Sequence, residues 1–373
     1  MSRSDFAKAK RIVIKIGSAL LTEGGKGLNQ AAIGVWVEQM ITLKQQGIEV
    51  VLVSSGAVAE GMVRLGLTKR PELLHELQAA ASVGQMGLVQ TFESKFQRHG
   101  LHAAQVLLTH ADLADRQRYL NARSTLLALL DFNTIPIINE NDTVATDEIR
   151  FGDNDTLGAL VANLVEADLL IILTDQLGLF NADPSINKEA VLIAEISAND
   201  ARLESMAGES RSGLGRGGMA TKVSAAKLAS RSGASTVIAS GDVENVITRV
   251  MAGEALGSYL YSELEPIAAR KQWLLVGLQA KGYLQLQAEA VVSVKQQERS
   301  LLAQDIAQVE GVFSRGELVV CLDANGREFA RGLVNYQSTE VDLIKGLGSE
   351  QFADILGYAD DEELIHWDNL VFI

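Results

Sequence analysis

Arg11-Ile12-Val13-Ile14-Lys15-Ile16-Gly17-Ser18 is the stretch on which the fold turns. A run this apolar and this short reads as a strand buried on both faces, broken at Gly17. Residues 29–46 follow as a helix, with Ile33, Val37, Met40, Ile41 and Leu43 at helical spacing and Gly47 in the place of a C-cap glycine. Glu49-Val50-Val51-Leu52-Val53 is the next strand, ending in Ser54-Ser55-Gly56. Further strands are expected at 102–108, 134–138, 168–173 and 235–239, with long helical segments between them. Strands alternating with crossover helices predict a mainly parallel sheet covered on both faces, a three-layer α/β/α domain.

The pattern changes near residue 258. Residues 263–272 are polar around Pro266, which suits a linker. Beyond it, turn signals crowd together at Gly282, Gly311, Ser314-Arg315-Gly316, Asn325-Gly326 and Gly332. Residues 317–322 and 328–335 flank Asn325-Gly326, a hairpin signal. The expected organisation is therefore an α/β domain over 1–260, a linker over 261–277 and a small, mostly β domain over 278–373.

Composition narrows the function classes. The chain has 373 residues, 47% hydrophobic, with no run approaching a membrane span and a short polar N-terminus without a signal-peptide core. A single cysteine, Cys321, allows no internal disulfide, so a reducing cytoplasm is the expected location. Five histidines and one cysteine leave little for a structural metal, and His99 and His102, the closest pair, are not read as ligands. The net charge is −14, and the stretch from Leu278 onward carries seven Lys/Arg against sixteen Asp/Glu. That acidic balance argues against nucleic acid as a partner, yet leaves room for a locally basic site that holds a small anion.

In open α/β sheets ligands bind beyond the carboxyl ends of the strands, so the residues just after each strand carry the most functional information. Lys15 sits at the end of the first strand; either it snorkels at the sheet edge or it meets an anion. Ser54-Ser55-Gly56-Ala57-Val58 opens a helix with small residues and could cradle an anion or serve as an N-cap. Asn139-Glu140-Asn141-Asp142 and Gly152-Asp153-Asn154-Asp155 gather amides and carboxylates at one strand end and the next helix start. Thr174-Asp175 follows the most apolar strand. The segment Gly213-Leu214-Gly215-Arg216-Gly217-Gly218-Met219-Ala220-Thr221-Lys222 matches GxGxxG, but no strand feeds it, and its lysine does not directly follow the last glycine as in a P-loop. It reads as a glycine-rich loop with a lysine one turn inside a helix, suited to phosphates or simply a flexible connection. No Ser-His-Asp set, HExxH or CxxC supports a hydrolytic or metal-centred rival. Two lysines on separate loops, with a carboxylate able to hold both, describe phosphoryl transfer.

In order and spacing, Val13 to Ser18, Val53 to Val58, Ile138 to Asp142, Phe151 to Asp155, Leu173 to Leu179 and Gly213 to Lys222 resemble the glutamate 5-kinases of the amino acid kinase family. Gly311-Val312-Phe313-Ser314-Arg315-Gly316-Glu317 and Gly332-Leu333 are similar to the PUA domain that many of them carry. The resemblance covers nearly the whole chain and implies the amino acid kinase fold with a C-terminal PUA domain. It implies transfer of the ATP γ-phosphate to the side-chain carboxylate of L-glutamate, the first step of proline synthesis, with Mg²⁺. It also implies roles: Lys15 and Lys222 stabilising the transferring group, Asp155 orienting them, and Ser55, Asp142, Asn154 and Asp153 at glutamate. Lys15, Thr174, Asp175, Arg216, Gly217, Gly218, Met219, Ala220, Thr221 and Lys222 would meet ATP. Arg216 stands where the family pattern has a small hydroxyl residue. A dimer or tetramer and feedback inhibition by proline follow from the same resemblance. The rivals are an acetylglutamate or UMP kinase of the same fold, and an RNA-binding PUA protein.

Overall fold

The computed structural model describes residues 1–24, 27–144, 154–184, 186–207, 218–263, 280–296, 299–359 and 361–372. The chain folds into two compact units, Met1–Ala114 with Asn121–Ile267, and Asp115–Leu120 with Ala268–Ile373. The expected linker, 261–277, lies outside the described residues from position 264 onward.

The first unit is built on eight strands: β1 (Arg11–Ile16), β2 (Glu49–Val53), β3 (Ala103–Leu108), β4 (Ile135–Glu140), β5 (Leu169–Thr174), β6 (Glu195–Ser197), β7 (Ser235–Ser240) and β8 (Ser258–Tyr261). Its helices are α1 (Ser18–Leu21), α2 (Gln30–Gln45), α3 (Ala57–Arg64), α4 (Leu74–Phe96), α5 (His110–Ala114), α6 (Arg116–Asp131, of which Asn121 onward belongs to this unit), α7 (Asp155–Leu164), α8 (Arg202–Ala207), α9 (Met219–Ser230) and α10 (Val246–Met251). The strand order is β3-β4-β2-β1-β5-β7-β8-β6. Neighbours from β3 to β7 pair in parallel, as the alternation of strands and helices requires. The sheet then reverses: β8 runs antiparallel to β7 and carries β6 beside it. The sheet is thus mainly parallel, as expected; strand β6 was not foreseen, because a three-residue edge strand is too short to announce itself by periodicity.

The central strands are apolar along their whole length because helices cover both faces. Ile12, Ile14 and Ile16 of β1 pack into one core with Trp36, Val37 and Met40 of α2 and Leu88, Phe92 and Phe96 of α4. Helix α2 begins where Asn29 accepts a hydrogen bond from the Ala32 N–H and ends at Gly47, whose φ of +82° only glycine adopts without strain.

The second unit is a five-stranded sheet, β9 (Gly282–Leu286), β10 (Ile306–Gly311), β11 (Leu318–Leu322), β12 (Glu328–Leu333) and β13 (Leu370–Phe372), in the order β10-β9-β11-β12-β13. Helices α11 (Ala288–Gln296), α12 (Ser338–Ile344) and α13 (Phe352–Leu356) accompany it. The hairpin read at Asn325-Gly326 is present between β11 and β12, with Gly326 at φ +76° and the Asp323 carboxylate accepting from the Asn325 and Arg327 N–H groups. Leu284, Val319, Cys321, Tyr336 and Phe352 belong to its own apolar core.

Candidate active site

Three of the singled-out residues meet at the carboxyl end of the parallel sheet. Lys15 lies on β1, opposite Val53 of β2 and Ile172 of β5, so its side chain leaves the middle of the sheet. Helix α7 crosses above it with Gly158 over the lysine; a Cβ at that position would sit 3.4 Å from Lys15 Cβ and Cγ, at the edge of ordinary contact. Asp155 opens α7, where unpaired backbone N–H groups favour a negative charge. Lys222 sits one turn inside α9, which begins after the extended Gly218.

Asp155 is fully buried and joins the two lysines. Its Oδ1 lies 2.5 Å from Lys15 Nζ and its Oδ2 lies 3.0 Å from Lys222 Nζ, while both lysines are 5% exposed or less. Thr221 Oγ1 is 2.8 Å from Asp155 Oδ2 and equally close to the Gly218 carbonyl oxygen. Burial works to raise the Asp155 pKa, but the charges and hydrogen bonds of Lys15 and Lys222 outweigh it and hold the carboxyl below its usual range. Among the described residues two ammonium groups thus share one carboxylate in a desolvated place. Ammonium groups at strand ends and helix N-termini suit an anion.

The remaining residues fall into three groups. Thr174 ends β5, buried, its hydroxyl donating to Asp175 Oδ1 at 3.0 Å. Ser55 lies buried before Gly56, which takes φ +91° to start α3. Asn154 stands at the N-cap of α7 but does not cap it; its Nδ2 donates to the Ser54 carbonyl (2.5 Å) and to Asn139 Oδ1 (2.7 Å). Asp142 lines a cavity of about 540 Å³ together with Ser82, Gln85, Gln105, Glu140 and Thr143. Met219 and Ala220 form the first turn of α9. Asp153, Arg216 and Gly217 lie outside the described residues.

Two features escaped sequence reasoning. Gln85 of α4 is buried and accepts from Asn139 Nδ2 at 2.7 Å, although nothing in an amphipathic helix marks one glutamine among several. Helices α3 and α4 touch backbone to backbone: a Cβ on Gly61 would lie 1.7 Å from the Ala80 carbonyl oxygen, and one on Gly84 1.8 Å from that of Ala57. Glycines spaced through a helical stretch were the available signal.

Comparison with known proteins finds relatives along the whole chain. Residues 10–240 match the amino acid kinase family and residues 282–356 match the PUA domain. A glutamate 5-kinase of Methylococcus capsulatus is 59% identical over 370 residues, covering 99% of both chains. Those of Pseudomonas putida strain F1 and Burkholderia vietnamiensis are 59% and 58% identical over 371 residues, the whole of each chain.

Proposed function

The chain belongs to the amino acid kinase family, among its glutamate 5-kinases, and on that premise we propose how its residues work. The protein uses ATP to phosphorylate the side-chain carboxylate of glutamate, a step of proline biosynthesis. The observation that carries the residue assignment is the buried Lys15–Asp155–Lys222 cluster. Phosphoryl transfer asks little covalent chemistry of a protein; it needs the reactants aligned and the charge on the transferring group balanced. Lys15 and Lys222 supply that balance, and Asp155 holds both ammonium groups at fixed places between the strand ends. The acceptor carboxylate is ionised near neutral pH and attacks the γ-phosphorus directly, so no general base is required.

Ser55, Asp142, Asn154 and Asp153 are the groups we assign to glutamate, the carboxylates and amide oxygen facing its ammonium. Thr174, Asp175 and the loop from Arg216 to Lys222 are assigned to ATP. Among the described residues no three His, Cys, Asp or Glu side chains cluster as a metal site, and Asp155 is engaged by two lysines. Mg²⁺ therefore fits this donor set as a companion of the ATP phosphates, which it would neutralise, rather than as an ion in a protein cage. The 1–260 catalytic region, an oligomer of two or four copies, inhibition by proline and a cytoplasmic location belong to the same proposal. Among the described residues no helix is long and apolar enough to cross a membrane.

Turnover of ATP with glutamate, N-acetylglutamate, aspartate and UMP, measured side by side, tests this reading. Glutamate should be the favoured acceptor; turnover with UMP and none with glutamate would sink it.

A further inference from the structure

The hydrogen bonds around Asn154 form a chain whose direction backbone groups dictate. The Ser54 carbonyl can only accept, so Asn154 turns Nδ2 toward it. The Glu140 N–H can only donate, so Asn139 turns Oδ1 toward it (2.9 Å), and the same oxygen receives Asn154 Nδ2. Asn139 Nδ2 is then left to donate, and Gln85 Oε1 accepts it. Both N–H bonds of the Asn154 amide are thereby committed inward. Its Oδ1 makes no hydrogen bond among the described residues and remains as an acceptor.

Gln85 gains nothing for itself from this arrangement. The side chain is 7% exposed, and its Nε2 is buried with no hydrogen-bond partner among the described residues. A buried donor without a partner is unfavourable, and a leucine of similar size would avoid it. What a leucine could not supply is the oxygen that holds Asn139.

We propose that Gln85 is a positioning residue for the acceptor substrate: by holding Asn139 Nδ2 it keeps Asn139 Oδ1 on Asn154, and so holds in place the amide whose sense the Ser54 carbonyl sets and whose oxygen meets the substrate's ammonium group. Gln85 thereby selects an amino-bearing dicarboxylic acid over the same acid without the amino group. This inference rests on the glutamate-kinase reading and deepens it.

The test compares glutamate with glutarate, the same five-carbon diacid lacking the amino group, as acceptors for the full-length protein. In Gln85→Leu the preference for glutamate over glutarate in kcat/KM should fall about tenfold, the scale of one hydrogen bond to a charged group. The fall should lie in the glutamate KM, with kcat, the ATP KM and the glutarate kcat/KM unchanged. Its thermal midpoint should stay close to the original, since one unpaired buried N–H group replaces another. Gln85→Met, which also fills the space without an acceptor, should behave alike, and Gln85→Glu, which keeps an oxygen against Asn139, should retain the preference. Equal losses for both acids, an unchanged preference in the Leu and Met variants, or a Glu variant as indiscriminate as they are would overturn the proposal. An unaltered protein that phosphorylates neither acid would instead overturn the glutamate reading itself.

Discussion

The eight-stranded sheet ends in a buried Lys–Asp–Lys cluster drawn from three separate elements, whereas the five-stranded sheet buries, among its described residues, one carboxylate that is satisfied from close by. Asp305 accepts from the two terminal guanidinium nitrogens of Arg299 at 2.7 and 2.9 Å, six positions away, and also from the Leu302 N–H. Lys15 and Lys222 reach Asp155 across 140 and 67 positions. The local ion pair closes on itself and braces a turn. The distant cluster gathers two lysines on one carboxylate, in a place that water barely reaches, and those ammonium groups are what a phosphoryl group can use. Charge burial alone does not mark a site; burial that gathers charges from distant elements does.

Asp155→Asn should break this contrast most severely. Removing this carboxylate takes from two buried ammonium groups the partner they share, a loss of about 3–5 kcal/mol in unfolding free energy that urea denaturation would measure. The pH dependence has a defined sign. Because the folded Asp155 carboxyl titrates below its unfolded value of about 3.9, its contribution is complete above that pH and disappears as pH falls through the folded pKa. The stability that the original protein draws from this carboxyl should therefore be constant near neutrality and fall only in strong acid. An Asp155 carboxyl seen by NMR to titrate between pH 5 and 8 would contradict the assignment.

Lys15→Ala and Lys222→Ala sharpen the comparison on the activity side. Each should lower kcat by about two to three decades, since a contact to charge developing in the transition state is commonly worth about 3–4 kcal/mol. Asp142→Ala should raise the glutamate KM instead, with kcat nearly kept. Steady-state kinetics on the three variants would separate the roles, and a normal kcat in both lysine variants would remove the mechanism.

Smaller effects distinguish backbone geometry in the two units. Gly84→Ala would press a methyl group into the Ala57 carbonyl, so about 1–3 kcal/mol of stability should be lost as α3 shifts, and Ser55 and Gly56 ahead of it with a rise in glutamate KM. Gly326→Ala has open space for its methyl group but strains a φ of +76°, at about 1 kcal/mol. Thermal melts should detect that loss while glutamate kinetics stay unchanged. A change in kcat there would mean that the β11–β12 turn serves the reaction.

Local order was legible from residues alone. The runs at β1, β2, β4, β5 and β7, the helix closed by Gly47 and the Asn325-Gly326 hairpin each follow from neighbours a few positions apart, through side-chain period, capping and turn chemistry. The same reading brought forward Lys15, Asp155 and Lys222 as groups in need of a partner. Their convergence was another matter. It depends on β1 lying between β2 and β5 and on Asn154 leaving its own helix uncapped to reach Ser54 and Asn139. Gln85 became visible only through that chain, because its one partner is 54 positions away. Periodicity and propensity act over a turn or a strand, so local residue order sets the elements and the chemical types at their ends. Which ends meet is set by sheet order and helix packing, where contacts between distant residues outweigh local preference.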